Sequence, residues 1–269
     1  MSEIKLAAVV VIYNQLFFET ETYRTLLSGI DIQLLIYDNS LKAQVVKEDN
    51  TIKYIHNPYN PGVSTAYNKA ILWANEISAT HLLLLDSDST FSIDAIKNYL
   101  QGISNYPTHI ILPSLYSNNR KISPFYFSFG KSHYGDNIKC GELNLGKQLA
   151  INAGTILPLQ QIGSCRFNEE LPLDWSDVYF FRKASEKHVK ARHISLEIQH
   201  GLSEHEKQSL TTSKIRFIHY INGIPIVASN FFEHALMLFW AKLRVLKLCV
   251  RFKTIWFLKR FLTSFYAGS

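Results

Sequence analysis

Near the N-terminus, apolar residues come in short unbroken runs separated by stretches with helical spacing. Leu6–Tyr13 (LAAVVVIY) is continuous and β-branched, which predicts a strand covered on both faces. Residues 15–28 carry a helical pattern with Gly29 as its stop. Gln33–Tyr37 and Ile52–His56 read as the second and third strands. After the turn NPYNPG, Ser64 is the expected N-cap, and Ala66, Ala70, Ala74 and Ile77 follow at helical spacing. His81–Leu85 is a fourth strand, Ser92–Leu100 a helix and His109–Leu112 a fifth strand. This alternation predicts an α/β chain with a Rossmann-like, mostly parallel central sheet flanked by helices.

Beyond residue 112 the rhythm weakens. Residues 113–150, rich in Ser, Asn, Gly, Tyr and Phe, predict short antiparallel strands and mobile loops. Residues 175–190 read as a helix, and 193–230 fit no single pattern. From Phe231 to Tyr266, aromatic and aliphatic residues are interspersed with basic ones. At 100° per residue Arg244, Lys247 and Arg251 share one face, while Lys253, Lys259 and Arg260 share another. Two short amphipathic helices fit that pattern and one straight helix does not. With no repeat or low-complexity linker, the expected organisation is a domain over 1–230, halved near 112, and a basic, aromatic helical extension over 231–269.

Composition changes this picture in one respect. The 269 residues are 47% hydrophobic and 19% charged, an ordinary globular balance that excludes wholesale disorder. The net charge of +6, however, belongs to the tail: from His234 onward there are seven Lys/Arg and no acid, leaving 21 basic against 22 acidic residues before it. That argues against a nucleic-acid-binding body and for a basic C-terminal patch. Such helices could lie on an anionic membrane surface, aided by Trp240 and Trp256, or pack on the domain, or meet a second copy. No stretch of about 18 uncharged apolar residues predicts a membrane span, and the N-terminus lacks a signal-peptide pattern. Cys140, Cys165 and Cys249 lie far apart with no CxxC, which fits a reducing cytosol.

Polar residues gather at the carboxyl ends of the expected strands, where open parallel sheets bind ligands: Tyr13-Asn14, Asp38-Asn39-Ser40, Asn57-Pro58 and Asp86-Ser87-Asp88. In extended chain Asp86 and Asp88 point the same way, and two such carboxylates suit Mg²⁺ or Mn²⁺. The spacing alone equally allows Asp88 or Ser89 to cap the next helix. Asp38 reads as a turn residue or as an acceptor for a base or ribose. Asn60-Pro61-Gly62 before a helix start offers N–H groups to an anion. Asp174 and Asp177 share a face of a helical turn beside Trp175, so they are capping residues or a desolvated general base. His200 is a ligand or a structural histidine, and a zinc site of His193, His200 and His205 lacks any HExxH or cysteine support.

Taken in order, VVVIYNQ (9–15), IYDNS (36–40), NPYNPGVSTAYNKAI (57–71), LLLLDSD (82–88), AINAGTIL (150–157), IGSCRFNEELPLDWSD (162–177) and IQHG (198–201) carry a resemblance. The chain resembles the inverting family 2 glycosyltransferases of GT-A type, and within them the rhamnosyltransferase-like enzymes of bacterial O-antigen or capsule synthesis. The resemblance implies a donor, dTDP-rhamnose or a UDP-sugar, lying across the strand ends with Mn²⁺ or Mg²⁺. Tyr13 and Asn14 would line the base pocket and Asp38 would contact the base. Asn60, Gly62 and Asn68 would lie along the diphosphate. Asp86 would face the ribose or metal, Asp88 would hold the metal, and His200 would be a further metal or diphosphate contact. Gly154 and Trp175 would border the acceptor, and Asp177 would be the base. Relatives carry another acid after the second Asp and end the motif in a clean Arg. Val178–Lys183 departs from that, leaving Asp174 and Asp177 both in play. The implied partners are a glycan or lipid-linked glycan acceptor, the inner membrane surface and a second copy, with no nucleic acid. A degenerate transferase serving as an assembly partner is a competing reading. So is a sugar nucleotidyltransferase, although VIYNQLFFE lacks the Gly-rich basic loop that enzyme would need. No GxGxxG supports a dehydrogenase.

Overall fold

The apolar runs become neighbouring strands of one ten-stranded sheet. The structure, a computed structural model, describes residues 3–201 and 209–264. Its first half runs β1 (Leu6–Ile12), β2 (Gln33–Asp38), β3 (Ile52–His56), α1 (Val63–Glu76), β4 (His81–Asp86), β5 (Ser89–Thr90), α2 (Ala95–Asn105) and β6 (Ile110–Ser117). There follow β7 (Arg120–Ser123), β8 (Phe125–Ser128), β9 (Lys131–His133), β10 (Gly141–Leu143), β11 (Gln148–Leu149), β12 (Ile156–Pro158), α3 (Leu159–Ile162), α4 (Ser176–Glu186) and β13 (Ala191–His200). The chain closes with α5 (Leu210–Val227), α6 (Phe231–Phe252) and α7 (Trp256–Thr263).

The main sheet has the order β10-β13-β6-β12-β4-β1-β2-β3. β3, β2, β1 and β4 are parallel, and so are β6 and β13, with β12 set antiparallel between β4 and β6. A second sheet, β11-β8-β9, is antiparallel, as the middle segment suggested. Alternation in the central strands explains their unbroken apolarity. Val9, Val11, Leu82 and Leu84 face a core shared with α1, α4, α5 and α6, whereas Ala8, Val10, Leu83 and Leu85 face one shared with α2. Both faces are covered, so no position can be polar until the strands end.

Several local expectations differ from the structure. Residues 15–28 are not one helix but a 3₁₀ turn, Phe17–Glu19, and a π-helical turn, Tyr23–Leu27. Threonine hydroxyls compete for the backbone there: Thr20 donates to the Phe17 carbonyl and Thr25 to that of Glu21. Ser64 is not the N-cap of α1, since Gly62 holds that position with φ 90°. Ser64 instead donates to the Leu171 carbonyl from inside the first turn. Asp174 lies outside α4, because Trp175 adopts a left-handed backbone (φ 71°) just before the helix begins. The unassigned 193–230 stretch holds most of β13 and all of α5.

The tail forms two helices of unequal length, broken where Lys253 turns left-handed (φ 50°). α6 is fixed to the body. Asn230 caps it by accepting the Glu233 N–H, and Glu233 pairs in two-pronged fashion with Arg182 of α4 at 3.0 and 2.6 Å. Met237, Ala241 and Val245 are buried on its inner side, as are Phe257 and Phe261 of α7. Trp240 and Trp256 do not form an outward aromatic belt. The Trp240 indole donates to the Phe129 carbonyl, and Trp256 packs against the core. No helix among the described residues is long and apolar enough to cross a membrane. The tail's last five residues, 265–269, and His205 lie outside the described residues.

Candidate active site

The sequence leaves two readings of Asp86-Ser87-Asp88, and the fold separates them. The following helix begins at Ala95, too far on for Asp88 or Ser89 to cap it. Instead Ser89–Thr90 turns back to pair with the end of β13, placing Ser89 opposite His200. The imidazole is thereby delivered to both carboxylates: Nδ1 lies 3.4 Å from Asp88 Oδ1, and Nε2 lies 4.0 Å from Asp86 Oδ2. The Ser89 hydroxyl sits 3.0 Å from Nδ1 and fixes the ring. One ligand atom from each of Asp86, Asp88 and His200 lies within 4.8 Å of the others, so the trio could hold one cation. Two carboxylates and an imidazole suit Mn²⁺ well and Mg²⁺ acceptably.

Two residues that sequence reasoning did not single out build this turn. Thr22 is fully buried; its hydroxyl donates to the Asp86 carbonyl, its N–H to that of Ser87, and its Oγ1 accepts the Ser89 N–H. Tyr67 of α1 donates its hydroxyl to Asp86 Oδ1 at 2.9 Å. Burial and the carboxylates of Asp86, Asp177 and Asp88 push the Tyr67 pKa well up, so it remains a phenol donor. The signal was faint: a tyrosine among small residues on the inner face of α1.

Asp177 stands in the first turn of α4 and is half-buried, with Oδ1 accepting the Val178 N–H at 2.7 Å. Burial pushes its pKa up to about 6, with smaller upward contributions from the Asp174 and Asp86 charges. Asp177 and the Asp86 cluster thus stand in one electrostatic neighbourhood, although they come from segments about ninety residues apart. Trp175 beside it stacks on Tyr220 of α5 (5.1 Å, 28°) and donates its indole N–H to the Tyr220 carbonyl.

The remaining strand-end residues divide into exposed and enclosed. Tyr13 is 57% exposed, and Asn14 has a left-handed backbone (φ 53°) with its N–H on Ser40 Oγ. Asp38 is fully enclosed. Burial raises its pKa, but hydrogen bonds from Ser40, Tyr54 and Gln44 outweigh this and hold it below the usual range. The Gln44 amide donates to Asp38 Oδ2 and to the Gln15 carbonyl while accepting the Phe17 N–H, closing over the carboxylate.

Asn60 is exposed and left-handed (φ 45°) at the turn before α1. Gly62 and Asn68 are committed to the 167–172 loop. The Val63 N–H donates to the Pro172 carbonyl, and Asn68 bonds Phe167 through both its amide atoms and Glu169 through Nδ2. They reach the cleft by holding that loop on α1. Gly154 is buried, with Tyr99, Pro113 and Ile198 all within about 3 Å of where a Cβ would stand, and the Tyr99 hydroxyl donates to its carbonyl. His193 is removed from the cluster, bonded to Ser114 and the Lys139 carbonyl.

Residues 8–156 match the model of the family described as Glycosyl transferase family 2. No curated protein matches the sequence. Among solved structures, S. aureus TarS is 15% identical over 89% of this chain and 42% of its own, with a TM-score of 0.51. The TarS 1-349 structure in complex with UDP-GlcNAc is 13% identical over 99% of this chain and 93% of its own, at 0.51. GalNAc-T7 with UDP, GalNAc and Mn²⁺ is 9% identical over 74% and 44%, at 0.53. The chain spans less than half the length of full TarS and of GalNAc-T7. At these identities the likeness is one of fold, the GT-A type.

Proposed function

Since the chain belongs to glycosyl transferase family 2, we propose that it moves a sugar from a nucleotide-diphospho-sugar to an acceptor hydroxyl, with inversion at the anomeric carbon. The observation that carries this reading is the Asp86–Asp88–His200 trio at the carboxyl edge of the parallel strands, with Asp177 close enough to feel the Asp86 charge. Asp86, Asp88 and His200 would hold Mn²⁺ or Mg²⁺, which when bound neutralises charge on the departing diphosphate. Ser89 orients the His200 ring, while Tyr67 and Thr22 fix the Asp86 carboxylate and its backbone. Asp177 takes the proton of the acceptor hydroxyl as it attacks. With a pKa of about 6 it is ionised at neutral pH yet basic enough to accept that proton. Of the two acids, Asp177 is favoured because it stands on the rigid first turn of α4, with Asp174 before the helix raising its pKa.

For the donor, a UDP-sugar ranks first and dTDP-rhamnose second, in keeping with the UDP-GlcNAc bound by TarS and the UDP bound by GalNAc-T7. Tyr13 and Asn14 offer the exposed surface for its base, with Asp38 beneath. Trp175 is assigned to the acceptor side. The acceptor is a glycan hydroxyl, lipid-linked and presented at the inner face of the cell membrane, in bacterial surface polysaccharide synthesis. Support for the membrane setting comes from the basic helical tail.

A thermal-shift panel of UDP, dTDP, GDP and CDP with and without Mn²⁺ tests the reading. One nucleotide should raise the melting temperature in a metal-dependent way, by roughly 2.7 kcal/mol of stabilisation at a hundredfold excess over Kd. No shift with any nucleotide, in folded protein, would overturn it.

A further inference from the structure

The outer face of α6 is apolar along its whole length. Phe232, Phe239, Leu243, Leu246 and Val250 are 67, 50, 44, 60 and 78% exposed. Spaced three to seven apart, they fall within about 60° of one another at 100° per residue, forming a stripe roughly 27 Å long. Met237, Ala241 and Val245, the residues that pack on the body, lie on the opposite side of the same helix. α6 is therefore apolar in two directions, and the structure accounts for only one of them. Beyond the break at Lys253, Ile255, Leu258 and Leu262 are exposed as well, at 63, 42 and 51%. At the other end the exposed ring of Phe129, from the turn between β8 and β9, joins Phe232 and Leu236 around a shallow cavity of about 240 Å³.

The charges beside this stripe choose its partner. Lys242 lies exposed on one shoulder and Lys247 and Arg251 on the other, followed by exposed Lys253 and Lys259. No acid occurs from His234 to the end of the chain. Two copies meeting stripe to stripe would bring these shoulders together with no acid to offset them, whereas an anionic lipid surface complements all of them. We infer that α6 and α7 are the surface by which the protein lies on an anionic bilayer, the stripe dipping among the acyl chains and the lysines meeting the headgroups. This deepens the membrane setting proposed above by naming the side chains that enter the lipid.

The same helix, α6, also touches the layer behind the candidate site. Arg244, on the inner side of α6, stands 4.2 Å from the Tyr220 ring, which stacks on Trp175, two residues before Asp177. Tyr220 of α5 thus bridges the lipid-facing helix and the segment that carries the candidate base, and the Arg182–Glu233 pair ties α6 directly to α4.

The test is co-sedimentation of the whole chain with vesicles of phosphatidylcholine alone and of phosphatidylcholine mixed with phosphatidylglycerol, without nucleotide or metal. Binding should require the anionic lipid and fall with added salt. Leu246→Glu with Val250→Glu should abolish it at an unchanged melting temperature, since both positions face outward. Lys242→Gln with Lys247→Gln should weaken it by about fivefold per charge. Folded protein that stays in the supernatant, or binding indifferent to the stripe variants, would overturn the inference. So would a vesicle-free dimer that Leu246→Glu dissociates, which would give the stripe to a second copy. Because the readout uses neither donor nor metal, its failure leaves the transfer reading standing, and the reverse holds too.

Discussion

His200, the last residue of β13, lies 3.4 Å through Nδ1 from Asp88 Oδ1, two residues beyond the end of β4. The pairing of Ser89 with His200 brings them together, so the imidazole joins the site through sheet register and not through a flexible loop. His200→Ala removes one of the three proposed ligands and leaves that backbone pairing in place. The Mn²⁺ concentration for half-maximal nucleotide stabilisation should rise by at least about 100-fold, the upper end of what outer-shell changes cause. Retained Mn²⁺ dependence in His200→Ala would remove His200 from the ligand set.

Thr22 supports the same turn from beneath, with its hydroxyl bonded to both ends of the Asp86–Ser89 segment. Thr22→Val keeps the shape and deletes those bonds. Loss of buried hydrogen bonds should cost about 1–3 kcal/mol of stability. Apparent metal affinity should fall about 10-fold or more while nucleotide binding without metal is unchanged. A variant that loses stability but keeps metal affinity would limit Thr22 to a folding role.

The parallel strands and the acids at their ends were legible because a strand covered on both faces must be apolar until it stops, and the first polar residues mark the edge. Thr22 and Tyr67 were not legible. Their roles depend on which distant segment packs against them, and neither lies in a periodic pattern that forecasts it. The length of β13 and the existence of α5 were hidden for a similar reason: β13 mixes polar and apolar positions near the sheet edge, and α5 is apolar on several sides. The part Gly62 and Asn68 play in holding the 167–172 loop was not legible either, since it depends on a segment about a hundred residues further along the chain.

Gly62 shows how that loop is held. It has φ 90°, and a Cβ there would stand 2.2 Å from the Pro172 carbonyl oxygen. Gly62→Ala must strain the backbone and push away the loop that leads to Asp174 and Asp177. We expect a loss of about 2 kcal/mol or more and a larger fall in transfer than in nucleotide binding. Urea unfolding and a binding titration measure the two separately.

Gln44 closes over Asp38 with three hydrogen bonds, to Asp38 itself, the Gln15 carbonyl and the Phe17 N–H. If a base contacts Asp38, as the resemblance implies, the amide must first move aside. Gln44→Ala should then tighten nucleotide binding several-fold, since those bonds need no longer be broken, while lowering stability by about 1 kcal/mol. Weaker binding in a calorimetric titration would instead make the amide part of the base pocket.

Burial raises the Asp177 pKa to about 6 from an ordinary 3.8. In the proposed role of general base it must be ionised, so kcat/KM should climb through about pH 6 and level off above it. Asp177→Asn should lower the plateau by about 10²–10⁴ with donor binding retained. The same shift has an opposite consequence for folding. A carboxyl whose folded pKa is raised binds its proton more tightly when folded, so its relative contribution is fully present below 3.8 and lost as pH rises through about 6. Ionised Asp177 therefore costs stability at neutral pH, by at most about 3 kcal/mol. Asn carries no charge to desolvate and can still accept the Val178 N–H. Asp177→Asn should melt above the parent protein at about pH 8, and the advantage should vanish toward about pH 4. A variant that keeps its activity would pass the base assignment to Asp174, and one without the pH-dependent gain would mean that the Asp177 carboxylate is not held desolvated in the parent protein.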